Sequence, residues 1–456
     1  MKNIAISWAT VALATSVFLS GCGGGGGSGV TNTSTSVAGY QATSEAVAPA
    51  LGNAPSDNSP SGNAPSGNAP TTGADPFSPT ISSLGYPFGS KRAAYVAGVR
   101  PTEASQASQD AVIRKQYDYW KSNIQDRCGG KVVLFHGGAV TVSEGAGYGM
   151  LLSVLMAGYD SDARDLFDGL FKVVRKFPAF GLNEPALMEW RISDDCTSGG
   201  AGGWNAIDGD LDIAMALLMA DRQWGSAGSV NYKAEALRTI VAIKRYNMNP
   251  SGFTAGGGTS DLSRTSDYMI THFKAFKRAT GDDFWDLASN KSFELLNYLQ
   301  DNFAPKTGLI PDFIVNTNSS PIPSPGFRGD GNAQEHHYYW NACRLPWRLA
   351  SDYVTSGDQR SKLVTGKLMD FFNRDTGGDP GKMSAGYALD GTALAPNYQA
   401  STFIGPATAG AMVDERFQPF LNKLWSYSSN NLATGYYGTE LQLLSMIVTS
   451  GNWWNP

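Results

Sequence analysis

Residues 143–152 read Ser-Glu-Gly-Ala-Gly-Tyr-Gly-Met-Leu-Leu, which places one carboxylate among three glycines just before an apolar run. A serine followed by a glutamate at a helix start would cap the helix and suit its dipole. Glycine at a helix start is unfavourable unless another group must approach the backbone closely. The stretch therefore predicts that a helix begins within it. Glu144 either stabilises the start of that helix or is an acid beside space for a bulky ligand.

The helical pattern recurs through the chain, whereas strand-like alternation is scarce. Apolar residues at helical spacing predict a helix around 111–124 and ten more at 147–158, 161–175, 210–223, 231–246, 266–278, 283–302, 345–355, 359–374, 416–427 and 438–449. Helices of this number and length, joined by Gly/Pro/aromatic loops, predict an all-α fold of helical hairpins packed side by side. No repeat of fixed period is visible, so a closed array is favoured over an open solenoid.

Residues 1–22 have the pattern of a bacterial lipoprotein signal peptide. Lys2 precedes an apolar segment over 4–18, and Leu-Ser-Gly-Cys follows at 19–22. This ending resembles a lipobox, which implies cleavage before Cys22 and attachment of lipid to that residue. The segment is too short and wrongly flanked for a lasting membrane span. We therefore expect an exported protein anchored at the cell envelope, with an ordinary signal peptide as the alternative.

The next segment, 23–84, is predicted to be a flexible tether. It begins with five glycines after the cysteine and carries Gly-Asn-Ala-Pro three times, at 52–55, 62–65 and 67–70. Such a composition cannot bury a core. The composition becomes globular near residue 85, so residues 85–456 are predicted to form one folded domain.

Charge and aromatic content restrict the class of ligand. A formal net charge of -5 argues against nucleic acid as the main partner. The chain has 11 Trp, 19 Tyr and 21 Phe. Aromatic faces beside polar groups suit sugar rings, whose C–H faces stack while their hydroxyls need hydrogen-bond partners.

The cysteines match no metal or redox motif. Apart from the proposed lipid-attachment cysteine, the chain has Cys128, Cys196 and Cys343. In an oxidising compartment, one disulfide and one buried thiol are expected, and Cys128–Cys196 is the predicted pair.

Two further stretches combine acids with aromatic residues. Residues 204–218 place Asp208, Asp210 and Asp212 at alternate positions before an apolar helix. Helix capping explains one of them, but three clustered acids repel one another. The spacing does not fit a calcium loop. The other stretch, 334–348, contains five consecutive aromatic or imidazole rings after Glu335.

With these stretches in view, the chain resembles glycoside hydrolase family 8. The resemblance is carried by Ser-Glu-Gly-Ala-Gly-Tyr-Gly-Met at 143–150, Ala-Ile-Asp-Gly-Asp-Leu-Asp-Ile-Ala at 206–214 with Trp224 downstream, Ser-Asp-Tyr-Met at 266–269, Asn-Ala-Cys-Arg-Leu-Pro-Trp-Arg at 341–348 and Ser-Gly-Asn-Trp-Trp at 450–454. It implies an (α/α)6 barrel, six inner helices ringed by six outer ones. It also implies endo-acting, inverting hydrolysis of β-1,4-linked polymers or mixed-linkage β-glucan, without a metal or other cofactor. A monomer is expected.

The resemblance also implies residue roles. Glu144 matches the general acid, and Asp208 matches the residue that binds and distorts the sugar at the cleavage point. Many members have aspartate as the base where this chain has Asn341, whose amide cannot accept a proton from water. A subgroup with asparagine takes its base from a glutamate just upstream, which predicts Glu335 as the base, with Asp330 in reserve.

Several residues are predicted to contact the substrate. Arg344 would orient the base or bind sugar hydroxyls, with a structural ion pair as the alternative. The predicted substrate-binding residues are Tyr148, Trp190, Trp204, Tyr268, Asn341 and Arg344. The expected activity is that of an endoglucanase on β-glucan or cellulose. The alternatives are a chitosanase and a glycan-binding lipoprotein without catalytic activity.

Overall fold

Twelve α-helices make up nearly half of the part of the chain that the structure, a computed structural model, describes: residues 84–135, 137–198, 202–255 and 261–456. The even-numbered helices are α2 Ser143–Leu155, α4 Ile207–Trp224, α6 Ile270–Thr280, α8 Leu345–Ser356, α10 Ser401–Gly410 and α12 Tyr436–Thr449. The odd-numbered helices are α1 Gln106–Ser122, α3 Ala163–Lys176, α5 Tyr232–Asn247, α7 Phe284–Phe303, α9 Gln359–Asp375 and α11 Gln418–Asn430.

The even-numbered helices form a closed inner ring. Each contacts the next in the order α2, α4, α6, α8, α10 and α12, and α12 returns to α2. Every residue of α2 is buried, as expected of a helix that is surrounded by other helices.

The odd-numbered helices form the outer layer. They pack on inner partners in the pairs α1–α12, α3–α2, α5–α4, α7–α6, α9–α8 and α11–α10. In α3 the buried apolar residues, including Leu166, Leu170 and Val174, lie on one face. The predicted all-α, (α/α)6 barrel is therefore confirmed.

Short strands occur only in the connections of the described part. They form four small antiparallel groups: β1 Ile124–Arg127 with β2 Gly130–Val133; β3 Thr141–Val142 with β6 Arg191–Ile192; β4 Pro178–Ala179 with β5 Glu184–Met188; and β7 Ser263–Arg264, β8 Phe313–Val315 and β9 Ile322–Pro323 in one sheet. The β3–β6 pair fixes the backbone directly before Glu144.

The glycines of the opening stretch serve helix packing rather than ligand space. A Cβ on Gly147 would lie 2.8 Å from the Asp212 Cβ, and one on Gly209 would lie 2.5 Å from the Ser143 carbonyl carbon. The missing side chains let α2 and α4 approach closely. The expectation that these glycines leave room for a ligand is therefore corrected. Val142 is the N-cap of α2 and makes no side-chain cap, so Ser143 does not cap the helix.

The cysteine prediction is confirmed. Cys128 and Cys196 form a disulfide, and Cys343 is a buried free thiol. Among the described residues, no helix is long and apolar enough to cross a membrane. The predicted signal peptide and tether, including Cys22, lie outside the described residues apart from Leu84, the last residue of the predicted tether.

Candidate active site

Glu144, Asp208 and Arg344 meet at one end of the inner ring, although they are far apart in sequence. Glu144 lies in the first turn of α2, Asp208 in the first turn of α4, and Arg344 directly before α8. One guanidinium nitrogen of Arg344 contacts Glu144 and also lies 2.8 Å from Asp208 Oδ2. All three side chains are buried. The structure thus brings together the predicted acid, the predicted sugar-binding aspartate and the arginine.

Asp208 is held as a carboxylate. Arg264 Nη2 lies 2.7 Å from its Oδ1, and the Gly209 backbone N–H also donates to Oδ1. Burial alone would raise the pKa of Asp208, but the charges of Arg264 and Arg344 outweigh burial and hold the pKa well below its usual range. Asp208 therefore provides a fixed negative charge beside Glu144.

The pKa of Glu144 is shifted in the opposite direction from that of Asp208. Burial raises the pKa of Glu144 to about 8, although the charge of Arg344 opposes this, and the negative charge of Asp208 adds to it. Tyr436, at the start of α12, donates a hydrogen bond to Glu144 Oε1 at 2.8 Å. Its ring occupies the space that a Cβ on Gly145 would need. The arrangement yields a carboxylic acid that keeps its proton near neutral pH.

Asp210 and Asp212, the other two aspartates near the start of α4, brace the helix. Asp210 accepts hydrogen bonds from the Met188 backbone N–H and from Asn205 Nδ2. Asp212 binds Arg348 through both of its oxygens and lies 2.8 Å from His272 Nε2. They tie α4 to β5, α6 and α8.

Asn341 connects Arg344 to a second carboxyl group. Its Oδ1 accepts from Arg344 Nη2 at 2.9 Å, and its Nδ2 donates to Asp330 Oδ2 at 3.0 Å and to Asp312 Oδ2 at 3.1 Å. Burial raises the pKa of Asp330 to about 7, and the neighbouring Asp312 and Glu335 carboxyl groups add to the shift. Asp330 is thus a carboxylate of raised basicity. The side chains of Asn341 and Arg344 connect it to Glu144.

Glu335 is enclosed by the loop just before it. Its carboxylate accepts hydrogen bonds from Ser324 Oγ and from the backbone N–H groups of Arg328, Gly329, Asp330 and Gly331. Burial would raise the pKa of Glu335, but these donors lower it. The Glu335 side chain is fully buried. These contacts occupy both oxygens of Glu335 within the loop that carries Asp330, so the predicted base is tied to that loop.

The predicted aromatic contacts divide into two groups. Trp204 is 51 % exposed and Trp190 is half-buried, which leaves surface for a ligand. Tyr148 and Tyr268 are fully buried: Tyr148 packs edge-on against Trp347, and the Tyr268 hydroxyl donates to Ser263. The prediction of sugar stacking is therefore corrected for Tyr148 and Tyr268, because neither ring has an open face.

Sequence reasoning missed Arg264, Tyr436 and Phe180. Arg264 and Tyr436 touch the two carboxyl groups of the site, while Phe180 is 52 % exposed and lies beside Gly203 next to Trp204. A lone Arg or Tyr outside any motif carries no signal in one sequence. Phe180 lies in a glycine-containing turn. Its contact with Gly203 joins two segments that are separated in sequence, which one sequence does not reveal.

No group of three or more His, Cys, Asp or Glu side chains in the described ranges could hold a metal ion. The site itself supplies a carboxylic acid at Glu144, an ionised Asp208 and the Arg344 guanidinium, and the side chains of Arg344 and Asn341 connect this cluster to the Asp330 carboxyl group.

Comparison with known proteins identifies relatives of this chain. The family model described as Glycosyl hydrolases family 8 matches residues 102–451. A "Beta-glucanase" of Niallia circulans is 36% identical over 370 residues, covering 79% of this chain and 89% of the relative. An "Endoglucanase" of Bacillus sp. (strain KSM-330) is 35% identical over 382 residues, covering 79% of this chain and 80% of the relative.

A solved structure is similar over the same region. The "Beta-1,3-1,4-glucanase from Paenibacillus sp.X4" is 34% identical with a TM-score of 0.78, covering 82% of this chain and 100% of that one. Rex8A from Paenibacillus barcinonensis is 20% identical with a TM-score of 0.66, covering 78% of this chain and 97% of that one, and shows likeness of fold alone.

Proposed function

The chain belongs to glycosyl hydrolases family 8 and is a glycoside hydrolase, and on this premise we propose that it is an endo-acting glucanase that cleaves β-1,4-glycosidic bonds with inversion. The observation that carries the proposal is the cluster of Glu144, Asp208 and Arg344, in which one acid keeps its proton beside a permanently ionised one. Similarity to proteins named beta-glucanase and endoglucanase supports glucan rather than chitosan as the polymer.

In this mechanism Glu144 is the general acid and protonates the leaving glycosidic oxygen as the bond to the anomeric carbon breaks. Asp208 stays charged and would bind the sugar at the cleavage point. Arg344 touches both carboxyl groups and holds them in register. Ionised Asp208 also helps Glu144 to keep its proton until substrate is bound.

We assign the general base to Asp330, the residue that the sequence places second to Glu335. Asp330 would remove a proton from a water molecule while that water attacks the anomeric carbon from the opposite face of the ring. Inverting enzymes keep their two carboxyl groups roughly 6.5–9.5 Å apart to leave room for this water. The two intervening side chains, Arg344 and Asn341, support such a separation.

The test uses soluble mixed-linkage β-glucan, carboxymethyl-cellulose and chitosan side by side. We expect reducing ends from the two glucans, an α-configured new reducing end by NMR, and almost no activity for Glu144→Gln. A protein that binds oligosaccharides and releases no reducing ends would be the glycan-binding alternative. Preferential cleavage of chitosan would contradict the glucan assignment.

We also propose that the enzyme is exported and lipid-anchored at the cell envelope. The support is the Leu-Ser-Gly-Cys ending at residues 19–22 and the Gly/Ser/Asn/Pro-rich sequence after it. Metabolic labelling with radioactive palmitate should mark the unmodified protein in the membrane fraction. A Cys22→Ser variant should lose the label, and equal labelling of both proteins would contradict the anchor.

A further inference from the structure

A row of aromatic side chains leads away from Glu144 along a ladder of backbone hydrogen bonds. The Ser143 N–H donates to the Trp190 carbonyl at 2.9 Å, and the Trp190 N–H donates to the Trp204 carbonyl at 2.8 Å. The Gly181 N–H then donates to the Gly203 carbonyl at 2.9 Å. These hydrogen bonds connect the backbone directly before Glu144 to the segments that carry Trp190, Trp204 and Phe180.

Exposure of the aromatic residues increases along this row. Trp190 is half-buried, whereas Trp204 and Phe180 are 51 % and 52 % exposed. Phe180 precedes the turn between β4 and β5, and Trp204 lies just before α4, which carries Asp208. Two large exposed aromatic side chains thus lie beside the same two glycines, the Phe180 ring next to Gly203 and the Trp204 ring next to Gly202.

The backbone under the two rings is shaped for this placement. Gly202 and Gly203 have φ of +67° and +78°, a conformation that favours glycine. A Cβ on Gly203 would lie 2.5 Å from the Phe180 ring, and one on Gly181 would lie 2.8 Å from the Gly202 carbonyl oxygen. The Phe180 ring therefore packs against the glycine backbone at residue 203. Larger residues at 181 or 203 would displace the ring.

The loop before Trp204 is also fastened at its other end. Cys196 is joined to Cys128 next to the β1–β2 turn, and the Arg127 guanidinium donates to the Asp194 carbonyl at 2.5 Å. Holding a binding surface in place before the ligand arrives lowers the entropic cost of binding. An anchored pair of exposed aromatic rings fits a ligand with flat apolar faces.

From these observations we propose that Phe180 and Trp204 form an aromatic platform that binds a glucosyl unit of the polymer beyond the cleavage point. The inference rests on the proposed function, since it assumes a β-glucan chain entering the Glu144 site. Pyranose rings of such a chain present apolar C–H faces to the two side chains. The platform would make the enzyme favour long chains over short oligosaccharides.

The test compares Phe180→Ala and Trp204→Ala with the unmodified enzyme on polymeric β-glucan and on cellotriose. We expect KM for the polymer to rise about tenfold in each variant, the change that 1.4 kcal/mol of lost contact produces. The kcat on the polymer should change far less, and the effect on cellotriose should be small. Phe180→Tyr and Trp204→Phe should retain most of the polymer affinity.

Tyr298→Ala is the matched control, since Tyr298 is an exposed aromatic residue on outer helix α7. Binding can also be measured without turnover, by retardation in gels that contain β-glucan, with all variants carrying Glu144→Gln. A polymer KM and a gel retardation equal to those of the parent in both alanine variants would overturn the platform. A parent protein that releases no reducing ends from any β-glucan, yet is retarded less once Trp204 is removed, would overturn the proposed function and leave the platform standing.

Discussion

Asn341 donates a side-chain hydrogen bond to Asp330 over 3.0 Å, while its amide oxygen accepts one from Arg344. An amide can make both contacts at once because it carries a donor and an acceptor. An aspartate at 341 would instead face Asp312 and Asp330 as a third carboxyl group. Asn341 and Asp330 therefore form one unit, in which the amide orients the carboxylate.

Asp330→Asn is the direct test of the base. Removing a general base lowers the rate by roughly 10²- to 10⁴-fold, and we expect a loss of that size in kcat on β-glucan with little change in KM. The melting temperature should also fall, because both Asp330 oxygens accept from amide groups, those of Asn332 and Asn341, and the introduced amide nitrogen would face one of these donors. The kcat is therefore measured at a temperature at which the variant is fully folded. A variant that keeps more than about a tenth of the parental kcat would contradict the assignment.

Glu335→Gln is the companion variant. The amide oxygen can take the place of Oε1, which accepts from the N–H groups of Arg328, Gly329, Asp330 and Gly331, but the amide nitrogen would then replace Oε2 beside the Arg328 N–H. The negative charge that strengthens these hydrogen bonds would also be lost. We expect a lower melting temperature and a looser loop, with a smaller loss of kcat than in Asp330→Asn. If Glu335→Gln melts like the parent and has the larger catalytic loss, the base is Glu335.

The pH profile should be bell-shaped and narrow. The base must be ionised, so activity falls as the pH drops through the pKa of Asp330, which burial raises to about 7. The acid must be protonated, so activity falls as the pH rises through the pKa of Glu144, raised by burial to about 8. The kcat/KM measured against pH should peak between these values, and the acidic limb should disappear in Asp330→Asn. A flat profile across this range would contradict both assignments.

The fold could be predicted largely from sequence because eleven of the helices have apolar residues at helical spacing. The helix α10 Ser401–Gly410 was not predicted, since it contains Gly405 and Pro406 and few large apolar residues. Its small residues are required by packing: a Cβ on Gly405 would lie 2.9 Å from the Gln442 backbone. Such a helix is specified by its neighbours in the ring rather than by its own pattern.

The site could be predicted only in part. Glu144, Asp208 and Arg344 lie in motifs, and the structure places them together. Tyr148 and Tyr268 also lie in motifs, but an aromatic ring beside an acid can face either the cleft or the core, and both rings are buried in the core. The choice between Asp330 and Glu335 depends on backbone N–H groups, which one sequence cannot place.

The disulfide is predicted to stabilise the folded domain and the platform loop. Cys128 and Cys196 are 68 residues apart, and closing a loop of that length stabilises a protein by about 4 kcal/mol in the chain-entropy model. Cys196→Ser should therefore melt well below the parent and show a higher polymer KM. Reductant should lower the melting temperature of the parent and leave that of Cys196→Ser unchanged. Cys343→Ala, which removes the buried free thiol, should keep the reductant sensitivity of the parent.

Tyr436→Phe should move the alkaline limb of the pH profile upward. The hydrogen bond from Tyr436 favours ionised Glu144, so losing it raises the pKa of Glu144 further. We expect roughly a tenfold loss of kcat from poorer orientation of the acid, together with the shifted limb. Tyr232→Phe is the control, because the Tyr232 hydroxyl, on outer helix α5, donates to Asp168. If the alkaline limb of Tyr436→Phe lies at the same pH as that of the parent, the hydrogen bond from Tyr436 does not lower the pKa of Glu144.

Glu440 on α12 should make the domain less stable in alkaline solution. It is fully buried, one oxygen accepts from Trp120 Nε1, and the other has no hydrogen-bond partner among the described residues. Burial raises the pKa of Glu440 well above its ordinary value, and the nearby Glu144 adds to the shift. Because the folded-state pKa is raised, the stability from protonated Glu440 is complete below the unfolded-state pKa and declines as the pH rises toward the folded-state pKa.

Glu440→Gln replaces the protonated acid with a neutral side chain of the same shape. We expect its melting temperature to fall less than that of the parent between about pH 6 and about pH 9, since one titrating group contributes up to about 1.4 kcal/mol per pH unit. Glu294→Gln, which changes an exposed glutamate on α7, should follow the parental curve. Identical pH dependence in Glu440→Gln and the parent would mean that Glu440 is already ionised in the folded enzyme, in which case its charge would join that of Asp208 in holding the proton on Glu144.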